Sequence, residues 1–191
     1  MPLDHLIVIR IVKGLWLCWM IYWFASAFNN KRTVYRQRMW SRLLFLVVLI
    51  AIFYTLGHSE MLDAVLFRTT LFTQILGIFL CTAGLAMAVW ARIFLGRNWS
   101  GTPTIKENHE LIQGGPYAIV RHPIYFGIII AFAGTILAIT PTPAGLIDLG
   151  VLIAALFIKS RIEEKLMIRQ FPEQYPKYKQ QVRGGLLPFI L

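Results

Sequence analysis

Five apolar stretches, Leu6–Phe28, Leu43–Leu56, Leu71–Leu95, Ile124–Ile139 and Ala144–Ile158, leave this chain few folds to choose from. A run of roughly 17 to 25 apolar residues crosses a bilayer as a helix, because lipid offers no partner to an open backbone N–H or C=O. The second, fourth and fifth stretches are short and need flanking residues or a thinned bilayer to complete a crossing. The 191 residues are 57% hydrophobic and 15% charged, and the charges cluster between the stretches, which excludes a soluble globule. The expected fold is an all-α integral membrane protein of about five transmembrane helices. With no internal repeat or low-complexity linker, residues 1–191 read as one domain.

Basic residues orient the helices, since Lys and Arg collect near span ends on the cytoplasmic side. Lys31, Arg32, Arg36, Arg38 and Arg42 follow the first stretch; Arg92, Arg97, Lys106 and Arg121 flank the third and fourth; seven more run from Lys159 to Arg183. Five crossings with the N-terminus outside put sixteen of the nineteen inside, leaving Arg10, Lys13 and Arg68 elsewhere. The Arg97–Arg121 loop and the C-terminal tail then share the cytoplasmic face. Anionic lipid headgroups account for the net charge of +10, and nucleic acid is not an expected partner. Ala25-Ser26-Ala27 imitates a signal-peptidase site, but the Trp-rich run before it and the basic cluster after it favour a retained helix.

Metal and disulfide chemistry find no support. Cys18 and Cys81 lie within apolar stretches, and His5, His58, His109 and His122 are too dispersed to form a ligand set on one helix. Trp16, Trp19 and Trp23, spaced i, i+3, i+7, read as helix packing or interfacial anchoring.

Chemistry-bearing residues concentrate in the second half. Gly115-Pro116-Tyr117 and Arg121-His122-Pro123-Ile124-Tyr125 set polar groups at the mouth of an apolar helix, whose Pro-led N-terminus would suit an anionic or electron-rich ligand. The Arg97–Val120 connection is long for a link between spans and has the composition of a folded ligand loop. After the fifth stretch come Lys159, Arg161, Glu163 and Glu164, where i,i+4 and i,i+3 ion pairs compete with a functional role for carboxylates at a span end. Ile162, Leu166 and Phe171 give that segment an apolar face; Pro172 ends its helix, and Tyr175 and Tyr178 read as interfacial anchors.

In this order, His109-Glu110-Leu111-Ile112, Gly115-Pro116-Tyr117, Arg121 to Tyr125, Glu163-Glu164 and Phe171 through Tyr178, the motifs of residues 96–188 resemble the isoprenylcysteine carboxyl methyltransferase and phospholipid methyltransferase superfamily of integral membrane enzymes. The resemblance implies S-adenosylmethionine as methyl donor, held in a cytoplasmic pocket by Thr102, His109, Leu111, Ile112, Tyr117, His122, Pro123, Ile124, Tyr125 and Glu163. It makes Lys159, where the family has Arg, or Arg161 the residue that orients an anionic acceptor. For an amine acceptor, Glu164 is the candidate base. The implied activity is methyl transfer to a lipidic acceptor, foremost the carboxylate of an isoprenylated cysteine or a similar lipophilic acid. A phospholipid amine N-methyltransferase, an NADPH-dependent sterol or enone reductase and a non-enzymatic scaffold are the alternatives. The membrane would be the plasma membrane of a prokaryote or the endoplasmic reticulum of a eukaryote, and the oligomeric state stays open.

Overall fold

The computed structural model describes residues 2–28, 33–36, 50, 62, 64–99, 104–106, 110–139 and 141–188, with backbone alone for 33–36 and 104–106. Helices α1 (His5–Ala27), α2 (Leu71–Leu95), α3 (Pro123–Ile139), α4 (Pro143–Gln170) and α5 (Gln174–Gln181) are joined by a short antiparallel ribbon of β1 (Thr33–Arg36) and β2 (Thr104–Lys106). The ribbon is an addition to the all-α expectation; β-branched residues suit its extended backbone, and it ties the segment after α1 to the loop after α2.

Three of the helical segments, His5–Ala27, Leu71–Asn98 and Pro143–Gln170, are long and apolar enough to cross a bilayer, and α3 is a shorter apolar helix. The chain is an integral membrane protein. The expected Leu43–Leu56 span lies, apart from Ile50, outside the described residues. Local chemistry explains the helix starts. The Asp4 carboxylate accepts from Leu6 N–H, Thr70 and Thr73 form a reciprocal capping box, and the Thr142 hydroxyl accepts from Gly145 N–H with Pro143 in the first turn. Helix α4 has 28 residues, so at about 1.5 Å per residue it outruns a hydrocarbon core of about 30 Å and carries its charged end into the polar region.

Small residues form the contact between α2 and α3, while Leu17, Met20, Phe24, Phe72 and Phe79 face outward. That inversion is expected where lipid is as apolar as any core and close backbone packing decides association. Helices α2 and α3 meet through Gly77 and Gly84 on one side and Gly127, Ala131, Gly134 and Ala138 on the other. A Cβ on Gly84 would stand 2.5 Å from the Ala131 nitrogen, and one on Gly77 would stand 2.5 Å from the Ala138 nitrogen. Backbone cannot yield as a side chain can, so Gly84→Val should force the helices apart at a cost of roughly 2 kcal/mol or more. A fall of several degrees in the thermal unfolding midpoint in detergent is the expected reading; an unchanged midpoint would contradict this packing. Helix α1 leans on the pair through Trp16, whose indole N–H donates to Thr135 Oγ1 at 3.0 Å, while Thr135 donates to Ala131 O at 2.9 Å.

Candidate functional site

A cavity of about 280 Å³ opens where α1, the loop before α3, and the far ends of α4 and α5 converge. Of the residues singled out above, Leu111, Ile112, Tyr117, His122, Pro123, Ile124, Tyr125, Lys159 and Glu163 all line it. Arg161 and Glu164 are not among its lining residues, and Thr102 and His109 lie outside the described residues. Helix geometry separates the two adjacent carboxylates: Leu156, Lys159, Glu163 and Met167 follow one another at three- and four-residue steps on the cavity face, and Glu164, rotated by about 100°, faces the tail.

Glu163 accepts a hydrogen bond from Tyr125 Oη at 2.6 Å, and its other oxygen stands 3.7 Å from His122 Nδ1. The His122 and Tyr125 rings lie parallel, with centroids 5.3 Å apart, and the Lys159 ammonium sits 5.1 Å from the Tyr125 ring centroid. A carboxylate and an ammonium thus face the same space one helical turn apart. Arg161 points elsewhere, its guanidinium 4.8 Å from the Phe157 ring and 4.0 Å from Glu164 Oε2, the i,i+3 pair anticipated from sequence.

Glu164 is 4% exposed and fully engaged. Arg121 Nε donates to its Oε1 at 2.8 Å and Lys179 Nζ to its Oε2 at 2.9 Å. The same Arg121 guanidinium donates to the carbonyls of Val182 and Arg183, each at 2.7 Å. Backbone N–H groups of Arg121 and His122 bond to Gly184 O at 2.9 Å and Gly185 O at 3.1 Å. The protein's own tail thus pairs the backbone that immediately precedes α3. Loop and tail do share one end of the bundle, and Tyr178 Oη donates to Tyr117 O at 2.6 Å to close the seam.

Tyr175 and Tyr178 correct the sequence reading. They are 3% exposed and line the cavity instead of anchoring the tail at an interface. Their i,i+3 spacing after a Pro-terminated helix was the available signal, since it places both rings on one face of α5. Burial pushes the phenols of Tyr117, Tyr175 and Tyr178 well above their ordinary range, so they remain neutral hydrogen-bond donors through physiological pH.

The Trp stripe of α1 also divides. Trp16 packs as expected, whereas Trp19 and Trp23 line the cavity. Trp19 stacks on Trp23 with centroids 4.7 Å apart, and Trp23 meets the edge of Trp99 at 5.2 Å. Arg92 lies 4.6 Å from the centre of the Trp99 ring and donates to Ser26 O at 2.6 Å and Gly96 O at 2.7 Å, fastening the end of α1 to the turn after α2. Sequence alone carried no sign of this, because the contact joins residues 66 positions apart.

The phospholipid methyltransferase family model matches residues 72–174, more than half of the chain. A probable protein-S-isoprenylcysteine O-methyltransferase of Oryza sativa subsp. indica is 29% identical over 175 residues, which cover 88% of both chains. A protein-S-isoprenylcysteine O-methyltransferase of Tribolium castaneum is 33% identical over 120 residues, 60% of this chain and 41% of that one. Among solved structures, the eukaryotic intramembrane Ras methyltransferase ICMT (isoprenylcysteine carboxyl methyltransferase) matches with a TM-score of 0.51 at 23% identity, over 81% of this chain and 54% of that one, which establishes a shared fold. The chain belongs to the phospholipid methyltransferase family and is a membrane methyltransferase.

Proposed function

We propose that the cavity binds S-adenosylmethionine and that the enzyme methylates the carboxylate of a lipophilic acid, an isoprenylated cysteine or a close relative. The observation that carries this reading is the pair of opposite charges on one wall, Glu163 and Lys159. The donor set suits the cofactor. Glu163 is hydrogen-bonded by a phenol that leaves its charge uncancelled, so it can take the amino group of the methionine moiety, while Tyr117, Tyr125, Leu111 and Ile112 offer faces and apolar surface to the rest. S-adenosylmethionine, when bound, supplies an electrophilic methyl group on a sulfonium centre.

The chain's own residues then have three tasks. Lys159 draws in an anionic acceptor. Tyr175, Tyr178 and the tail that Arg121 fastens keep water out, and a dry site favours a step in which opposite charges cancel. The bundle holds the two reactants in line, where proximity alone lowers the barrier by several kcal/mol. A carboxylate is already nucleophilic, so no base is required. An amine acceptor would need one, and Glu164, bound by Arg121 and Lys179, is engaged as an ion-pair partner. Family membership makes methyl transfer the chemistry to assign, in place of the hydride-transfer and scaffold alternatives.

On this reading residues 1–191 form one domain, residues 96–188 supply most of the cofactor pocket, and the site faces the cytoplasm, the side to which the basic residues point. The test is calorimetry of the detergent-purified protein with S-adenosylmethionine, S-adenosylhomocysteine and NADPH, followed by methyl transfer to S-farnesylated N-acetylcysteine. The first two ligands should bind and the acid should be methylated. Lys159→Met should raise KM for the acid about tenfold or more, and Lys159→Arg should restore it. Binding of NADPH alone would overturn the cofactor assignment, and turnover of amine acceptors only would overturn the acceptor.

A further inference from the structure

His122 stands between the two carboxylates of α4. Its Nδ1 lies 3.7 Å from Glu163 Oε2, and its Nε2 lies 3.7 Å from Glu164 Oε1. Both separations are within ion-pair range and too long for a hydrogen bond, and Nε2, shut off from solvent, has no hydrogen-bond partner. The residue is fixed where it stands: its backbone N–H is bonded to Gly185 O, and its ring lies parallel to that of Tyr125, which donates to Glu163.

A neutral imidazole has one N–H and one lone pair, so between two carboxylates it turns the lone pair toward one of them. Only the doubly protonated ring offers an N–H to both. Glu164 is already answered by Arg121 at 2.8 Å, Lys179 at 2.9 Å and Arg161 at 4.0 Å, so its pull on His122 is shared. Glu163 differs, since His122 is its ion-pair partner among the described residues and Tyr125 reaches it as a neutral phenol. The start of α3 opposes a cation with roughly half a charge, against the full charge of Glu163. The other titratable groups of the cavity wall are Glu110, Lys159, whose ammonium lies over the Tyr125 ring, and the phenols of Tyr117, Tyr175 and Tyr178, which burial keeps neutral.

We infer that His122 is a positioning residue that bears a proton on each ring nitrogen in the free protein and serves as the internal counter-ion of Glu163, giving up that place and one proton when the ammonium of the methionine moiety binds. Glu163 exchanges one cation for another. The His122 Nδ1–H bond breaks, its electron pair stays on the ring, the proton passes to solvent, and the net charge of a dry pocket is unchanged. The neutral ring keeps its Nε2–H on the Glu164 side, beside the tail that Arg121 fastens. The inference deepens the cofactor reading above and rests on it.

Two measurements on the detergent-purified protein test it, and neither needs turnover. Nitrogen-15 magnetic resonance of histidine-labelled protein at about pH 6.5 reads the protons on the ring directly. The resonances of His122 are assigned by their loss in His122→Gln; should that variant fail to fold, His5→Asn, His58→Asn and His109→Asn assign the other three histidines. The free protein should show both nitrogens of His122 protonated, and saturation with S-adenosylhomocysteine should leave one. Calorimetry of S-adenosylhomocysteine binding in buffers of different ionisation enthalpy then counts protons. Because the free protein holds the extra proton, binding should release protons and strengthen as pH rises, by about two- to tenfold between about pH 6 and pH 7, below the range in which an α-amino group loses its own proton. A singly protonated His122 in the free protein, or binding without proton release, would overturn the inference. Failure of S-adenosylhomocysteine to bind would remove the cofactor reading by itself. The free protein would still decide the counter-ion: Glu163→Gln should lower the doubly protonated fraction of His122, and an unchanged fraction would refute the pairing.

Discussion

Replacing Arg121 with methionine should cost about 3–5 kcal/mol of stability and abolish cofactor binding, although Arg121 is not a residue to which a direct chemical role is assigned. The guanidinium answers three partners at once, Glu164 and the carbonyls of Val182 and Arg183. Without it, Glu164 keeps Lys179 but loses its buried counter-ion, and the tail loses its two guanidinium bonds while keeping the main-chain bonds at Gly184 and Gly185. Thermal unfolding in detergent and calorimetry with S-adenosylhomocysteine measure the two losses. The double variant Arg121→Met/Glu164→Leu separates the causes. If an uncompensated buried charge dominates, the second substitution should recover part of the stability while cofactor binding stays lost, because the tail carbonyls remain unpaired. An Arg121→Met protein as stable as the parent would refute this account of the ion pair.

Glu163→Ala should act in the opposite manner, with stability little changed and affinity for S-adenosylmethionine reduced about a hundredfold, the scale of a lost charge-assisted hydrogen bond in a dry pocket. Glu163 is only partly buried and, among the described residues, accepts its hydrogen bond from the neutral Tyr125, so its removal strands no ion-pair partner held by that bond. Glu163→Gln refines the reading. It can still accept from Tyr125, so Tyr125 is held, but it lacks the charge that attracts an ammonium. A weakening close to that of Glu163→Ala would identify electrostatic attraction as the role of Glu163. Near-parental affinity in the glutamine variant would identify orientation of Tyr125 instead, and unchanged affinity in both would remove Glu163 from the cofactor site.

Much of this was legible in the sequence because it depends on short-range or one-dimensional information. The apolar stretches announced membrane helices, and the Arg-His-Pro and Glu-Glu motifs drew attention to the two segments that converge on the cavity. Adjacency in sequence, however, concealed a difference in role. Glu163 and Glu164 read alike on paper, as did Lys159 and Arg161, and only their angular positions on α4 turn Lys159 and Glu163 toward the cavity and give Glu164 to Arg121. Tyr175 and Tyr178 were read as anchors because aromatic residues near a span end usually are, and long-range packing overrode that prior.

The sequence by itself determined that this chain is a helical membrane protein of a methyltransferase family, since a hydrocarbon environment admits few backbone structures and the motifs are local. Which side chains face one another was decided by the tertiary structure alone. The Arg121–tail bonds join residues 61 and 62 positions apart, and the Arg92–Ser26 bond spans 66. Such contacts follow from how closely the small-residue faces of α2 and α3 let the backbones approach and from the angle at which α1 and α4 then close on them, quantities that no local pattern of residues encodes.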